Sequence, residues 1–411
     1  MGNEIYIVGG GASGLMAALA AAERGARVVI LEKMDRAGRK LSLTGNGRCN
    51  LTTDGDVETA VAAFGRNWRF LRSAFALFFS AELIELMMTL GVPVIKEEGR
   101  GYFPESGHAA DVTYAFMNRL KELGVEMRTK SAVERILEDE GSLLGVNVGG
   151  EFIVAKRVLL ATGGRSYTGT GSSGDGYKLA GALGHKIVPQ LPAVVPLTLD
   201  GNLHRDLAPL AFDKVCVSLM KDGKEIDSSE GDILFTPWGA TGPAALALSK
   251  SAAANVGKGR LSLVVNFAFG ATAEDFDYKL IRKFKADGKR FVVTALAELL
   301  PRRASVAIAA HAGLPNDRRC AHVTAEERAL LVELLCECKF HVTGTRPIEE
   351  AMVTAGGVAL SEVDPKTMES KKIKGLYISG ELLDVDAGTG GYNLQAAFST
   401  GFVAGCAMAE E

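Results

Sequence analysis

The stretch IYIVGGGASGL (Ile5 to Leu15) restricts the chain more than any other part of it. Four apolar residues form a short buried strand, and Gly9-x-Gly11-x-x-Gly14 follows at once. That spacing lets backbone close on a pyrophosphate at the start of a helix. Gly14 through Arg24 is patterned as the helix, rich in alanine that allows close packing on a sheet, and Gly25 ends it. Arg27 to Leu31 is the second strand. Glu32 stands at its carboxyl end, 23 residues after Gly9, where a carboxylate accepts hydrogen bonds from a free ribose and repels a 2′-phosphate. The unit therefore predicts a dinucleotide site that disfavours NADP. NAD and FAD share the ADP half it grips.

Two further glycine clusters lack that context. GTGSSG (Gly169 to Gly174) has the right spacing and a following helix, Asp175 to Leu183, but no strand ending in an acid comes next. GNGRCN (Gly45 to Asn50) lacks the third glycine and a preceding apolar strand. Both are expected to be turns where backbone approaches a ligand closely.

The order of segments points to FAD. Ser131 to Leu160 reads as short strands with turns at Glu140-Gly141 and Gly149-Gly150, leading into VLLATGG (Val158 to Gly164). Pro189, Pro192 and Pro196 mark a crossing into a region of different character. Ala193 to Phe269 is β-rich, and Asp275 to Phe340 is helical, broken at Pro301 and at GLPNDRR. From Arg346 the glycine turns return and end in a closing helix from about Leu394. Nicotinamide dehydrogenases usually keep the cofactor domain continuous, whereas large flavoproteins insert a substrate domain and come back to the cofactor. The expected fold is α/β: a Rossmann-like FAD-binding domain of the two-dinucleotide-binding-domain type, 1–192 with 346–411. Residues 193–274 form an inserted β-rich substrate domain and 275–345 a small helical one.

Bulk properties exclude several classes. With 411 residues, two or three domains are expected. A net charge of −3 offers no basic field for a nucleic-acid backbone. The six cysteines and six histidines show no metal-ligand spacing, so no metal is expected. Scattered cysteines suit reduced cytosolic thiols. The first strand starts too early for a secretory leader, and no apolar run reaches the roughly 18 residues of a membrane helix. A soluble cytoplasmic protein is expected; nothing predicts its oligomeric state.

Four segments in order, GRKLSLTGNGRCNLTT (Gly38 to Thr53), ATGGRSYTGTGSSGDGYKLA (Ala161 to Ala180), VTAGGVALSEVDPKTMESK (Val353 to Lys371) and GLYISGELLDVDAGTGGYNLQAAFSTGFVAG (Gly375 to Gly405), resemble signatures of BaiN/YhiN-like flavoproteins. The resemblance spans nearly the whole chain and leans towards the family's bile-acid reductase branch. It implies an FAD enzyme that reduces conjugated C=C bonds of 3-oxo bile-acid or other steroid intermediates in 7-dehydroxylation, with NAD(P)H as donor. The family also implies an alternative, aminoacetone-type amine oxidation with oxygen. A third reading is a non-enzymatic FAD-binding module or an RNA-associated flavoprotein, though the −3 charge and the absence of a basic stripe speak against nucleic acid. One departure stands out. LFTPWGATGP (Leu234 to Pro243) has Pro237 where the family often has His, and Thr241 where it has Ser, so a proton-transfer role there is not carried over.

By resemblance, Gly9, Gly11, Ser13 and Gly14 hold the pyrophosphate and Glu32 the adenosine ribose. Arg39 and Lys40 offer cations and backbone donors to the phosphates or flavin edge, Val133 meets adenine through backbone, and Thr162 and Gly163 sit beside the cofactor. Glu381 contacts the ribityl or phosphate portion. Gly390, Gly391, Tyr392, Asn393 and Leu394 start a helix aimed at the flavin N1–C2=O edge, where donors stabilise the negative charge of reduced flavin. Enone reduction needs an acid for the α-carbon. Tyr167, Tyr177 and Tyr392 are candidates, none singled out. Cys49 reads as a buried small residue and not a redox thiol. Phe235, Trp238 and Phe267 can line an apolar pocket or simply fill a core.

Overall fold

The computed structural model describes residues 4–410. They divide into two compact units, Met1–Leu191 with Ile348–Glu411, and Pro192–Pro347.

In the first unit, strands β1 (Ile5–Val8), β2 (Val28–Leu31), β3 (Glu126–Arg128), β4 (Arg157–Leu160) and β5 (Leu376–Ile378) form one sheet in the order β5-β4-β1-β2-β3. Every neighbouring pair is parallel. β1, β2 and β4 are buried at every position, which explains why they are apolar throughout but for Arg157: a parallel sheet is covered on both faces. Helix α1 (Ala12–Ala22) starts two residues before the expected Gly14. The closing helix α2 (Tyr392–Glu410) lies against it. A Cβ on Gly401 would fall 2.3 Å from the Ser13 carbonyl oxygen, and one on Gly405 2.4 Å from that of Ala17. Those two glycines let the helix backbones touch.

The antiparallel ribbon Val133–Asp139, Ser142–Val148 and Glu151–Val154 turns at the two predicted glycine sites. Helices Val57–Ala62, Trp68–Leu77, Ser80–Thr89 and Ala109–Glu122 fill a stretch where no motif foretold structure.

The second unit is built on a closed antiparallel barrel of six strands: Leu197–Asp200, Ala211–Lys221, Lys224–Thr236, Gly239–Thr241, Leu261–Asn266 and Cys338–Thr345. Cys338–Thr345 corrects the expected division at residue 275. It pairs with both Leu261–Asn266 and Leu197–Asp200 and so closes the barrel. Its inward residues Cys338, Phe340 and Val342 alternate with exposed ones, a period of two hidden by the charged helix Ala325–Cys336 before it. The helices of 273–336 share one apolar core with the barrel and form no separate domain. Phe235 belongs to that core, fully buried with its ring centroid 5.0 Å from that of Phe340.

No helix among the described residues is long and apolar enough to cross a membrane. No group of His, Cys, Asp and Glu among them is arranged to hold a metal ion.

Candidate cofactor site

The first turn shows why three glycines are spaced as they are. Gly9 has φ +105°, and a Cβ there would strike the Ala161 carbonyl oxygen at 2.6 Å. A Cβ on Gly14 would lie 2.0 Å from the Gly9 carbonyl oxygen. Gly11, at the N-cap of α1, has nothing within 4 Å of the Cβ position and so leaves room for a ligand. Free N–H groups of the α1 start face that room, a setting that favours an anion. The Ser13 hydroxyl is buried and bonded to the Ser379 hydroxyl at 2.5 Å, which leaves only its backbone to meet a ligand.

Glu32 is buried at the end of β2. Its carboxylate accepts from the N–H of Gly10 and of Met34, each at 2.8 Å. It thus braces the glycine turn, and each oxygen keeps lone-pair capacity for a hydroxyl. Its carbonyl accepts from Ser131 N–H at 2.9 Å, which brings Val133, two residues on, to the same end of the sheet. GTGSSG packs here too. A Cβ on Gly171 would meet Met34 at 2.9 Å, and Lys33 Nζ reaches Asp175 at 2.5 Å. Gly171 therefore serves close packing against Met34 at this end of the sheet, whereas Gly169 has nothing within 4 Å of its Cβ position.

Lys40 and Glu381, 341 positions apart, form an ion pair at 2.6 Å. Lys40 Nζ also donates to Ser166 Oγ at 2.7 Å, and Glu381 accepts from Thr354 N–H at 2.8 Å. Lys40 and Glu381, both expected beside the cofactor, are thus bonded to each other in the protein. Each neutralises the other, because a partly buried charge needs a partner. Arg39 is likewise engaged, by Asp35 at 3.1 Å and by the Gly169 carbonyl at 3.2 Å.

At the start of α2, Gly390 and Gly391 have φ +116° and +84°, and a Cβ on Gly391 would lie 2.5 Å from the Thr52 carbonyl carbon. Asn393 ties the preceding loop through Ala387 N–H at 2.9 Å and the Ala387 carbonyl at 2.8 Å. Leu394 packs on the core of this unit. Sequence reasoning passed over Thr52 and Gln395. Both are fully buried, and the Thr52 hydroxyl donates to Gln395 Oε1 at 2.5 Å. That bond fixes the GNGRCN turn, which carries left-handed Gly45, Asn46, Gly47 and Cys49, to α2. Cys49 is buried, and burial pushes its thiol up to about 12, an inert group at neutral pH.

The three tyrosines separate. Tyr177 is buried, its hydroxyl donates to the Glu381 carbonyl at 3.3 Å, and burial pushes its pKa far upward. It is held as a structural donor, which argues against its candidacy as an acid. Tyr392 is half-buried at the α2 start, and Tyr167 is exposed with a left-handed backbone. In the other unit, the Pro237 carbonyl meets His204 Nε2 at 3.3 Å. Burial lowers the His204 pKa, and its Nδ1 has no partner.

The residues fit FAD. The room at Gly11, the braced Glu32 and the α1 start suit its ADP half. Thr162, next to the strand end that Gly9 abuts, keeps a buried Oγ1 with no protein partner, and Gly163 beside it has φ +73°. A parallel sheet with this turn, the antiparallel ribbon and a glycine-led helix returning from the far end of the chain defines a flavoprotein of the Rossmann type. The HI0933-like protein Rossmann domain model matches residues 3–407, and the chain belongs to that family. It is 32% identical over 421 aligned residues, 99% of each chain, to a 3-dehydro-bile acid delta(4,6)-reductase of Clostridium scindens. It is 30% identical to a ribosomal RNA dihydrouridine synthase of Escherichia coli, over 97% of this chain and 96% of that one. The 3-ketosteroid delta1-dehydrogenase of Sterolibacterium denitrificans shares the fold, with TM-score 0.55 and 13% identity over 99% of this chain and 100% of that one. The chain is an FAD-dependent oxidoreductase.

Proposed function

We propose that this protein reduces C=C bonds conjugated to a carbonyl, with 3-oxo steroid or bile-acid intermediates as substrates and NAD(P)H as donor. The observation that carries this reading is the likeness to the bile-acid reductase over 99% of both chains. The name of the dihydrouridine synthase describes the same bond change, saturation of a C=C next to a carbonyl in uracil. Relatives of both kinds therefore converge on one chemistry and differ in the molecule that carries the bond. Bound FAD supplies hydride chemistry; the protein supplies position and charge. In this reading the α1 start and Glu32 hold the ADP half, and donors at Gly390 to Leu394 steady negative charge on the reduced ring. Tyr392 is the preferred acid, since Tyr177 is tied to the Glu381 carbonyl.

A second reading, uridine reduction in ribosomal RNA, rests on the 30% likeness to the dihydrouridine synthase. The net charge of −3 disfavours a polyanion. Anaerobic stopped-flow separates the readings. NADH or NADPH should bleach the yellow holoenzyme, and a 3-oxo-4-ene steroid should restore the colour. Recolouring by a uridine-bearing ribosomal RNA fragment and not by the steroid would favour the second reading. Bleaching by aminoacetone and not by nicotinamide would favour the amine oxidase.

A further inference from the structure

The proposed reaction needs a two-electron donor, yet the chain has one complete glycine turn with a strand-end acid, and FAD fits it. A second dinucleotide must dock elsewhere. The first unit contains a cavity of about 390 Å³, lined by Val57, Val61 and Trp68 and edged by Glu58 and Arg72. That volume lies within the roughly 300–1,000 Å³ of small-ligand sites. The helix Trp68–Leu77 and the turn before it carry Arg66, Arg69 and Arg72, all exposed. None of the three belongs to an ion pair among the described residues. Arg69 lies over the Trp68 ring, 5.5 Å from its centroid. An indole wall, the Arg72 guanidinium with Arg66 next to the lining Gly65, and one carboxylate together match a heteroaromatic ring, a diphosphate and a ribose diol.

We infer that this cavity docks the adenosine-diphosphate arm of the nicotinamide dinucleotide donor, with Trp68 against the base, Arg72 and Arg66 on the phosphates and Glu58 at the ribose. The inference rests on the NAD(P)H reading above. Its place supports it: Asn67 Nδ2, next to Trp68, donates to the Asp384 carbonyl at 2.6 Å, and Asp384 belongs to the loop that leads into Gly390. The basic charge stays on this short arc beside exposed Asp54, Asp56 and Glu58, which suits one diphosphate and repels a long polyanion. Glu58 also disfavours a 2′-phosphate, so NADH is the expected partner.

The test uses FAD-loaded Trp238→Phe protein, in which Trp68 is the remaining tryptophan. ADP-ribose, which carries no hydride, should quench Trp68 fluorescence. Arg72→Glu and Arg66→Glu should each raise its Kd about tenfold or more. In stopped-flow the same variants should raise the NADH concentration for half-maximal flavin bleaching and leave the limiting rate unchanged. Glu58→Gln should narrow the preference for NADH over NADPH. Bound flavin and thermal melting serve as folding controls, since all three side chains are exposed. If NADH bleaches wild type and both arginine variants alike, the dock is overturned and the donor reading stands. If neither nicotinamide bleaches wild type, the donor reading falls and the dock with it. If a ribosomal RNA fragment displaces ADP-ribose and binds more tightly, the surface is an RNA contact and the inference is overturned.

Discussion

Glu32 is the residue that braces the glycine turn most directly, because its carboxylate holds the Gly10 and Met34 N–H groups, and it is the proposed ribose acceptor. Glu32→Ala should weaken FAD binding by about 10- to 100-fold, the effect of losing a charged acceptor worth ~1.5–3 kcal/mol. Glu32→Gln should recover part of it. Flavin retained after gel filtration, with circular dichroism as the control for folding, reads the result; full retention in the alanine variant would show the ribose contact is elsewhere. Gly9, Gly14 and Glu32 could be read from the sequence because each answers a local need: a turn, a close backbone approach, a strand-end acceptor. Lys40, Glu381, Thr52 and Gln395 could not be placed that way. Their roles depend on partners hundreds of positions away, and nothing local marks a lysine that will be neutralised.

The elements tell the same story at the next scale. The sheet strands announced themselves as apolar runs, and the turns as glycines. The barrel strand Cys338–Thr345 did not, since alternation over eight residues after a charged helix reads as more helix. Helix contacts were equally silent, though Gly401 and Gly405 bring α2 onto α1. Gly405→Val should destabilise the fold by about 1–3 kcal/mol or more through overpacking, seen as a lower urea midpoint. Segment 360–375 is clipped to helix Asp175–Ala182 and its following turn by His185. Its Nδ1 faces Glu362 at 3.2 Å and its Nε2 faces the Ser370 hydroxyl at 3.0 Å. The order of groups resembles a hydrolytic triad, but Ser370 is buried and its Oγ already accepts two backbone N–H groups. Burial lowers the His185 pKa, with Glu362 opposing. The unfolded chain then takes the proton first, so stability is complete above about pH 6.5 and declines as pH falls through that value towards the folded pKa. Urea melts from pH 8 to pH 5 should show that slope. His185→Gln should reduce it, and a further change at His204, shifted the same way, should reduce it again.

At the scale of the molecule, the candidate cofactor residues lie in one unit, and Pro192–Pro347 brings its own apolar core. Its entry and exit strands are neighbours, with Leu197 paired to Thr345. A segment whose ends meet and whose core is its own is a candidate for transfer as a block. Sequence composition puts the borders near Ala193 and Thr345, because prolines interrupt strands and mark the crossings. Substrate choice is expected to reside in this block, the division usual when specificity is grafted onto a shared scaffold. Exchanging 192–347 with the matching segment of a dihydrouridine synthase relative should move recolouring from steroid to uridine substrates while FAD stays bound and NADH still bleaches it. Unchanged steroid preference in the chimera would return specificity to the loops of the flavin unit, with Tyr102 to His108 the first to vary. Loss of FAD would show that the inserted block supports the cofactor as well as the substrate. Expression of 192–347 alone gives the independent check: a barrel with a closed strand order and a separate core should melt cooperatively without the rest of the chain.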